Sequence, residues 1–406
     1  MKKKAIVVLA VLTIVAAAVC FAACGEGVKV TLDLAGGVYG GSDENIVATV
    51  KGGQIDLGEY RPEYEGAQIS GWTDEEGNFY GANAIVAVEK ELKLTAVYEG
   101  VLQYTRVEGG YSVFAGAGFK GARVAVPAAV DGVPVVEVAE NAFKGCESIE
   151  TLVIPDSVKK MGRGAFEGCT SLQNLILPFA GASATVTSEP NMGMAYLFGS
   201  SSSSWTRYPE LKTITVSSAA TYVPNGAFEG IRSLERVYLG ENITGIGERA
   251  FQNCTGLLQV RLPEKCVTIA NRAFYNCSKA SIEIEGAITS LGTSAFYNSG
   301  LSEITLAGGE SMKSIGTDCF NSSRITAIEL PATIEQIGSS AFRNCKSLTR
   351  VTFNSQVTLY SSAFADCVKL DNSSLVLNAG AKIAFAEGAE ESAFSGTKVD
   401  ITQINA

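Results

Sequence analysis

The sequence predicts a mainly β solenoid with short helical turns, preceded by a smaller β domain. Two observations predict it. An Ala-Phe step recurs, mostly every 22 to 24 residues, and a short run of alternating apolar residues separates successive steps. Such a period is typical of repeat arrays, in which each unit buries its core only against its neighbours. The step falls at Phe143, Phe166, Phe228, Phe251, Phe274, Phe296, Phe342, Phe364 and Phe394, with Cys319 and Phe320 as a variant.

Each repeat first presents a strand pattern. Val260 and Leu262 alternate, which places both side chains on one face of a short strand. Pro263 then ends the strand, because proline cannot donate to the next ladder. A second apolar position lies five residues before the Phe, as at Ile246. Each repeat therefore supplies several inward apolar groups.

The second half of each repeat predicts a turn. Glycines at Gly162, Gly247 and Gly338 suit a tight turn ahead of the Ala-Phe step. The step itself, with Phe inward and often a cysteine three residues later, fits one turn of helix. The last repeat is looser, because 30 residues separate Phe364 from Phe394 and Ala389 occupies the usual apolar position.

The repeats resemble one known family. The stretches SIETLVIPDSVKKMGRGAFEGCTSLQNLILP from Ser148 and PATIEQIGSSAFRNCKSLTRVTF from Pro331 are similar to BspA-type leucine-rich repeats. This resemblance covers about residues 105–406 and implies a curved solenoid on an exported bacterial surface adhesin or binding protein. We assign residues 101–406 to a leucine-rich-repeat solenoid of about ten or eleven units, with an insertion at about 179–210.

Residues 28–100 have a different pattern, with strand-like alternation and no Ala-Phe step. The segments VTLDLAGG, ISGWTDEEGNFY and LKLTAVY occur in the order of the Listeria–Bacteroides repeat, also called the InlB B-repeat. The resemblance implies a small β-grasp domain that acts as a spacer or interaction module. Trp72 is expected in its core, because large aromatic side chains mostly serve packing.

The first 23 residues have the features of an export signal. Lys2, Lys3 and Lys4 precede an apolar run that ends in small residues. FAACG around Cys24 resembles a lipobox, which implies lipidation of Cys24 and a short linker at 24–27. We expect an exported protein, lipid-anchored to the bacterial membrane and facing the cell surface. An uncleaved N-terminal anchor is the alternative.

Composition disfavours several functions. The formal net charge is −10, and −13 without the three lysines of the leader, whereas nucleic acid recognition needs a basic face. The chain has no histidine, which removes the commonest general base and the usual zinc ligand. Carboxylates such as Glu387, Glu390 and Glu391 lie in polar runs typical of solvated faces. We expect neither an enzyme nor a cofactor or metal site.

Six cysteines share one repeat position, and in an exported protein an even number suggests disulfides. Side chains at equal positions of stacked repeats point in parallel, whereas a disulfide needs converging Cβ atoms about 3.8 Å apart. We therefore expect buried, reduced thiols that act as small apolar residues. The six are Cys146, Cys169, Cys254, Cys277, Cys345 and Cys367.

Two surfaces are candidate binding sites. The insertion carries a serine run flanked by Tyr196, Trp205 and Tyr208, which either bind a partner or fold back as a staple over the solenoid edge. The second candidate is the outward face of the strands, where Arg236, Tyr238 and Arg261 form the favoured patch because Tyr and Arg dominate hot spots. Its outward row runs Val153, Ile176, Thr215, Tyr238, Arg261, Glu283, Thr305, Glu329 and Thr352.

Together these features predict a cell-surface lipoprotein whose solenoid recognises a host or neighbouring-cell protein or glycan. The alternative is a passive spacer or envelope-structural protein without a specific ligand. The sequence does not name the ligand, and it leaves the oligomeric state open.

Overall fold

The computed structural model describes residues 27–35, 37–51, 53–64, 67–75, 79–98, 102–115, 119–185, 193–200, 210–307 and 312–404. The N-terminal module, residues 27–98, holds a mixed sheet with its first and last strands parallel and side by side. Trp72 is fully buried in its core, as expected. The assignment of this module to the β-grasp B-repeat family stays a prediction. Its strands are β1 Val28–Asp33, β2 Ile46–Val50, β3 Gln54–Asp56, β4 Glu63–Tyr64, β5 Ala67–Asp74, β6 Phe79–Gly81, β7 Ile85–Ala87 and β8 Leu92–Tyr98.

The remainder of the chain forms a β-solenoid of about eleven turns, which confirms the predicted fold. Its first strands are β9 Leu102–Val107, β10 Gly110–Ala115, β11 Arg123–Ala125, β12 Ala129–Val130 and β13 Val133–Val138. The repeats continue with β14 Thr151–Val153, β15 Lys160–Met161, β16 Asn174–Leu177, β17 Thr213–Val216, β18 Arg236–Leu239, β19 Gly245–Ile246, β20 Gln259–Leu262, β21 Thr268–Ile269, β22 Ser281–Ile284, β23 Ser290–Leu291, β24 Ser314–Ile315, β25 Ala327–Leu330, β26 Gln336–Ile337, β27 Arg350–Phe353, β28 Gln356–Leu359, β29 Leu375–Leu377 and β30 Lys382–Phe385.

Helical structure is sparse in the described residues. The two α-helices are α1 Gly193–Leu197 and α2 Glu390–Ala393, and 3-10 turns span Leu57–Glu59, Asn372–Ser374 and Ile401–Gln403.

Each coil contributes to two parallel ladders. The long ladder joins β11, β14, β16, β17, β18, β20 and β22, and β25, β27 and β29 pair in the same way farther along the chain. The short ladder is formed mostly by two-residue strands around the second apolar position, as in the pairing of Ile246 with Ile269, and ends in the four-residue strands β28 and β30. Strands end before proline, as predicted. β16, β20 and β25 stop immediately before Pro178, Pro263 and Pro331, respectively. One continuous apolar core lies between the ladders.

A column of buried phenylalanine rings runs along this core. The rings of Phe251 and Phe274 stack with centroids 4.8 Å apart and planes 6° apart. The centroid spacing is set by the separation of hydrogen-bonded strands, about 4.8 Å. Phe198, in the interrupted part of the array, also belongs to the column and packs edge-on against Phe166 at 5.9 Å. The interruption therefore contains one diverged coil.

The Ala-Phe step folds as short hydrogen-bonded turns, in line with the short helical turns predicted, but these turns do not continue as a regular helix. The carbonyl of Phe251 accepts from the Cys254 N–H three residues later at 3.1 Å. Left-handed residues flank the step on both sides, with φ of 55° at Arg249 and 61° at Asn253. Such residues interrupt a right-handed helix, which leaves isolated turns.

The glycines ahead of the step open its first turn, as predicted, since the carbonyl of Gly247 accepts from the Ala250 N–H at 3.2 Å, but a left-handed conformation is not the reason for glycine there. None of Gly162, Gly247 and Gly338 is among the residues with positive φ. A Cβ on Gly162 would lie 2.3 Å from the backbone nitrogen of Glu140, and one on Gly247 would lie 2.5 Å from that of Asn225. These positions are glycine because the preceding coil's backbone passes too close for a side chain.

The long last repeat retains the core. Phe394 stacks on Phe364 at 5.3 Å, and the four residues of α2, inserted just before it, take up part of the extra length. Phe385 pairs with Leu359 in the short ladder, at the place where the sequence had suggested Ala389. Ala389 is nevertheless buried.

Among the described residues, all eight cysteines are buried and unpaired. Five of the six at the shared position also donate a hydrogen bond, so they are more than small apolar residues. The Sγ of Cys254 lies 3.0 Å from the Phe228 carbonyl oxygen of the preceding coil, and the same contact recurs at Cys277 with Phe251. Cys169, Cys345 and Cys367 make the equivalent contacts at 3.0–3.1 Å.

The N-terminal module continues the long ladder of the solenoid. Strand β8 pairs in parallel with β11 through Tyr98 and Val124, so both modules share one sheet. The fully buried side chain of Val97 lies in a small apolar cluster with Ala125 and Val153, and Ile176 packs at its margin. The module therefore covers the outward face of the first coils.

Candidate functional site

The outward face of the long ladder is the principal open strand surface of the solenoid. Along β18 and β20 the residues alternate, with Val237 and Val260 buried and Arg236 and Arg261 exposed. This alternation is the one predicted from the sequence. It holds a row of polar and aromatic side chains on rigid, hydrogen-bonded strands.

Val153 departs from the predicted row of outward, solvated positions. Its exposed fraction is only 4%, because the N-terminal module covers it through Val97. The open face therefore begins farther along the array, at Ile176 and Thr215. Thr352, at the far end of the predicted row, is also buried, with an exposed fraction of 9%.

Two adjoining grooves mark the place where the module ends and the open face begins. We call them together the junction trough. The larger has a volume of about 910 Å³ and the smaller about 270 Å³. Both are lined by Ile176 and Thr215, which join them. Clefts of this size between structural units are common ligand sites.

The larger groove is mainly apolar at its floor and polar at its rim. The apolar side chains of its floor are those of Ala125, Val153 and Ile176, together with two prolines. Ser70 of β5 belongs to its lining, so the N-terminal module supplies one wall.

Tyr238 and Arg261, two of the favoured residues, line this larger groove. Tyr238 is half-buried in β18. Arg236, at the start of the same strand, is exposed but lines neither groove of the trough. The structure thus brings two members of the predicted patch together and leaves the third at a distance along the strand.

The guanidinium of Arg261 is held by two carboxylates of its own chain. Its Nε donates to Glu285 Oε1 at 2.6 Å and its Nη1 to Glu241 Oε1 at 3.0 Å. The hydrogen bond to Glu285 is the largest effect raising the pKa of Arg261. Arg261 was predicted as a binding residue from its side-chain type alone, and these two contacts largely neutralise its charge within the chain.

Tyr196 lies on the other candidate surface. It belongs to α1, is partly buried and packs against the solenoid core. Its backbone carbonyl accepts from the Gly164 N–H at 2.9 Å. Tyr196 does not line the trough. Trp205 and Tyr208 lie outside the described residues, as does Cys24.

Sequence reasoning missed the wall supplied by the N-terminal module. One signal for it was present in β8, where Leu92, Leu94 and Ala96 alternate inward while the opposite face reads Lys93, Thr95, Val97. Another was the outward row of the solenoid, which is apolar in each of its first three coils, at Ala125, Val153 and Ile176. Apolar residues on two otherwise polar faces indicate that the faces meet.

Neither a metal site nor a membrane span is found in the part of the chain that the structure describes. No group of three acidic, cysteine or histidine side chains is placed to hold a metal ion there. Neither described helix is long and apolar enough to cross a bilayer.

The repeats match a family model described as the BspA type Leucine rich repeat region. Six copies match, at residues 134–185, 201–312 and 267–386, which together exceed half of the chain. The chain belongs to the BspA-type leucine-rich repeat family. This confirms the resemblance of the repeats and favours an interaction module of surface type. Proteins built from such repeats are generally non-enzymatic scaffolds.

Several solved structures of leucine-rich repeat proteins are similar to this chain. One from Bacteroides ovatus is 22% identical, with 74% of this chain and 80% of that chain covered and a TM-score of 0.45. The T. pallidum leucine-rich repeat protein is 26% identical over 48% of this chain and 86% of that chain, with a TM-score of 0.34. A leucine rich cell surface protein from Faecalibacterium prausnitzii is 18% identical, over 71% and 94%, with a TM-score of 0.26. The comparison with curated proteins gave no match.

Proposed function

We propose that this protein is an exported surface protein whose solenoid binds an extracellular protein or glycan through the outward face of the long ladder. The observation that carries the proposal is the groove of about 910 Å³ in which Tyr238 and Arg261 are presented by neighbouring rigid strands. Repeat arrays use such extended faces to bind macromolecular partners. Membership of a surface-type repeat family supports the same function.

The anchor in this proposal is a lipid on Cys24, after removal of residues 1–23. The lysine-led apolar segment and the lipobox-like FAACG support it. Residues 28–100 would then be an InlB B-repeat-like module between the membrane and the solenoid. Cell fractionation tests the anchor: the protein should be in the membrane fraction, and Cys24→Ser should release it into the medium or leave it unprocessed. Unchanged lipid labelling of the Cys24→Ser variant would contradict this assignment.

Binding is tested with the soluble chain from Gly25 onward, applied to a glycan array and to an extracellular-matrix extract. A partner should be captured, and alanine at Tyr238, Arg261 and Trp205 together should abolish its binding. The matched control carries Tyr360→Ala and Arg272→Ala, which lie outside the trough. If both screens are empty, the passive-spacer alternative is favoured.

A further inference from the structure

The junction trough is shaped by two modules whose relative position is fixed by several contacts. The backbone pairing of β8 with β11 fixes the module along the ladder. The side-chain contacts of Val97 with Ala125 and Val153 fix it across the sheet, because all three are buried. The N-terminal module is thus a structural part of the trough.

The chemistry of the larger groove favours an uncharged, apolar group. Contact between its aliphatic floor and an apolar ligand group would stabilise the complex by about 25 cal/mol per Å² of apolar surface buried. The cation at its rim, Arg261, is already paired with Glu241 and Glu285. Ser217 Oγ likewise donates to Asp156 Oδ1. A charged ligand would compete with these internal contacts.

The smaller groove is lined by polar side chains, whereas the floor of the larger groove is apolar. Thr95 of the module lines it, facing Thr151, Asn174 and Thr213 of the solenoid. Its ionic groups are Lys93 and Asp33, which pair at 3.8 Å, Asp74, which accepts from the Tyr80 hydroxyl, and Glu75 and Arg123. Hydroxyl and amide groups of this kind suit the N–H and C=O groups of a polypeptide backbone.

The two grooves together favour a peptide over a sugar. A sugar ring has apolar C–H faces, but hydroxyl groups project around its whole edge, and those facing the aliphatic floor would lose their hydrogen bonds to water without replacement. A peptide alternates apolar side chains with polar backbone, as the trough does. The larger groove crosses six successive strands of the long ladder, which are β11, β14, β16, β17, β18 and β20. At about 4.8 Å between neighbouring strands they span about 24 Å, which is room for about seven extended residues.

We propose that the junction trough binds an extended, largely uncharged polypeptide segment that inserts an aromatic or branched aliphatic side chain beside Tyr238. The N-terminal module is then part of the binding site and not a spacer. This inference rests on the proposed binding function and specifies where binding occurs and what is bound.

The test uses a displayed library of random 12-residue peptides, selected on the chain from Gly25 onward. Enriched peptides should share an aromatic or branched aliphatic residue. Thr215→Trp, which fills the trough, should weaken their binding at least tenfold. The control Thr305→Trp is at the equivalent outward position of a later coil, outside the trough. It should change the affinity for the selected peptides less than twofold.

A second pair of variants tests the role of the N-terminal module. Val97→Lys replaces a side chain that contacts the solenoid but does not belong to the module's own core. It should abolish peptide binding with the circular dichroism spectrum retained. Val47→Lys, at a position 59% exposed on the same module, should leave binding unchanged.

The possible failures are distinguishable. If the peptides bind Thr215→Trp and Val97→Lys as well as the parent, the site lies elsewhere and the inference is overturned while the proposed function stands. If only glycans bind, or enriched peptides share only charged residues, the ligand class is wrong. If neither peptides nor glycans nor matrix proteins bind, both proposals fail.

Discussion

The thiol of Cys277 donates to the carbonyl oxygen of Phe251 in the preceding coil, with Sγ and O 3.0 Å apart. That oxygen also accepts the backbone N–H of Cys254 in its own coil. The cysteine side chain therefore adds a contact between coils beside the backbone hydrogen bonds that already join them there, such as that from the Phe251 N–H to the Ala273 carbonyl at 2.8 Å. This explains why a weak donor that also packs well recurs there.

Replacing Cys277 by alanine should destabilise the array by about 1–2 kcal/mol, because it removes both the contact and buried volume. Serine keeps a donor, so Cys277→Ser separates the hydrogen-bond contribution from the volume contribution. Urea unfolding followed by circular dichroism measures the difference. A Cys277→Ala variant as stable as the parent would show that the contact contributes nothing.

The buried thiols should resist modification in the native protein. Burial raises the pKa of Cys169, Cys266 and Cys277 from 9.0 to about 12, so the reactive thiolate is scarce at pH 8. A thiol-reactive dye should label them only after denaturation. Counting under denaturing, non-reducing conditions should give at least six free thiols, and a lower count would show disulfides.

The same shifts predict an alkaline loss of stability. The unfolded thiol loses its proton near pH 9, whereas the folded one retains it until about pH 12. The unfolded state therefore binds fewer protons in this interval, and stability falls as pH rises from 9 to 12. Below pH 9 these thiols contribute no pH dependence. Urea midpoints at pH 8 and pH 10.5 measure the fall, which should be smaller in Cys277→Ala.

Truncating one phenylalanine of the buried column should lower the free energy of unfolding more than any surface substitution. Phe251 is fully buried and stacks on Phe274 at 4.8 Å, so Phe251→Ala should cost about 3–5 kcal/mol. Phe251→Leu should cost less because it leaves a smaller cavity. Hydrogen exchange should show the largest loss of protection in the coils next to residue 251, since repeat arrays transmit stability between neighbours. Uniform loss along the array would contradict this.

Gly247→Ala should lower the free energy of unfolding by about 1–3 kcal/mol or more, because the added Cβ collides with the backbone of the preceding coil. The added Cβ would lie 2.5 Å from the Asn225 backbone nitrogen. Arg272→Gly is the opposite case, because Arg272 has φ of 53° and glycine adopts this conformation without strain. Its thermal midpoint should stay the same or rise. Equal losses in the two variants would disprove the distinction between close approach and conformational strain.

Features that recur in every coil could be predicted from the sequence. Features that depend on contacts between distant segments could not. The period places Phe251 and its equivalents in the core because each unit must bury the same face. The role of Gly247 is different, since close approach between coils is a property of two chain segments and leaves no local signal. The neutralisation of Arg261 depends on Glu241 and Glu285, which lie 20 and 24 residues away in adjacent coils.

The junction trough was the least predictable part of the candidate site. Val97 and Ala125 are unremarkable apolar residues in their own segments, and only their docking shows that two surfaces meet. The position of Trp205 and Tyr208 was predicted from loop composition alone, and that prediction remains open because both lie outside the described residues.

The pairing of β8 with β11 has a consequence for solubility. A β-ladder that starts with an uncovered strand offers a row of vacant peptide groups on which a neighbouring molecule can assemble. Here Tyr98 occupies the side of β11 at Val124 that the next solenoid strand does not. The N-terminal module thereby shields the beginning of the array from self-association between molecules crowded at high concentration.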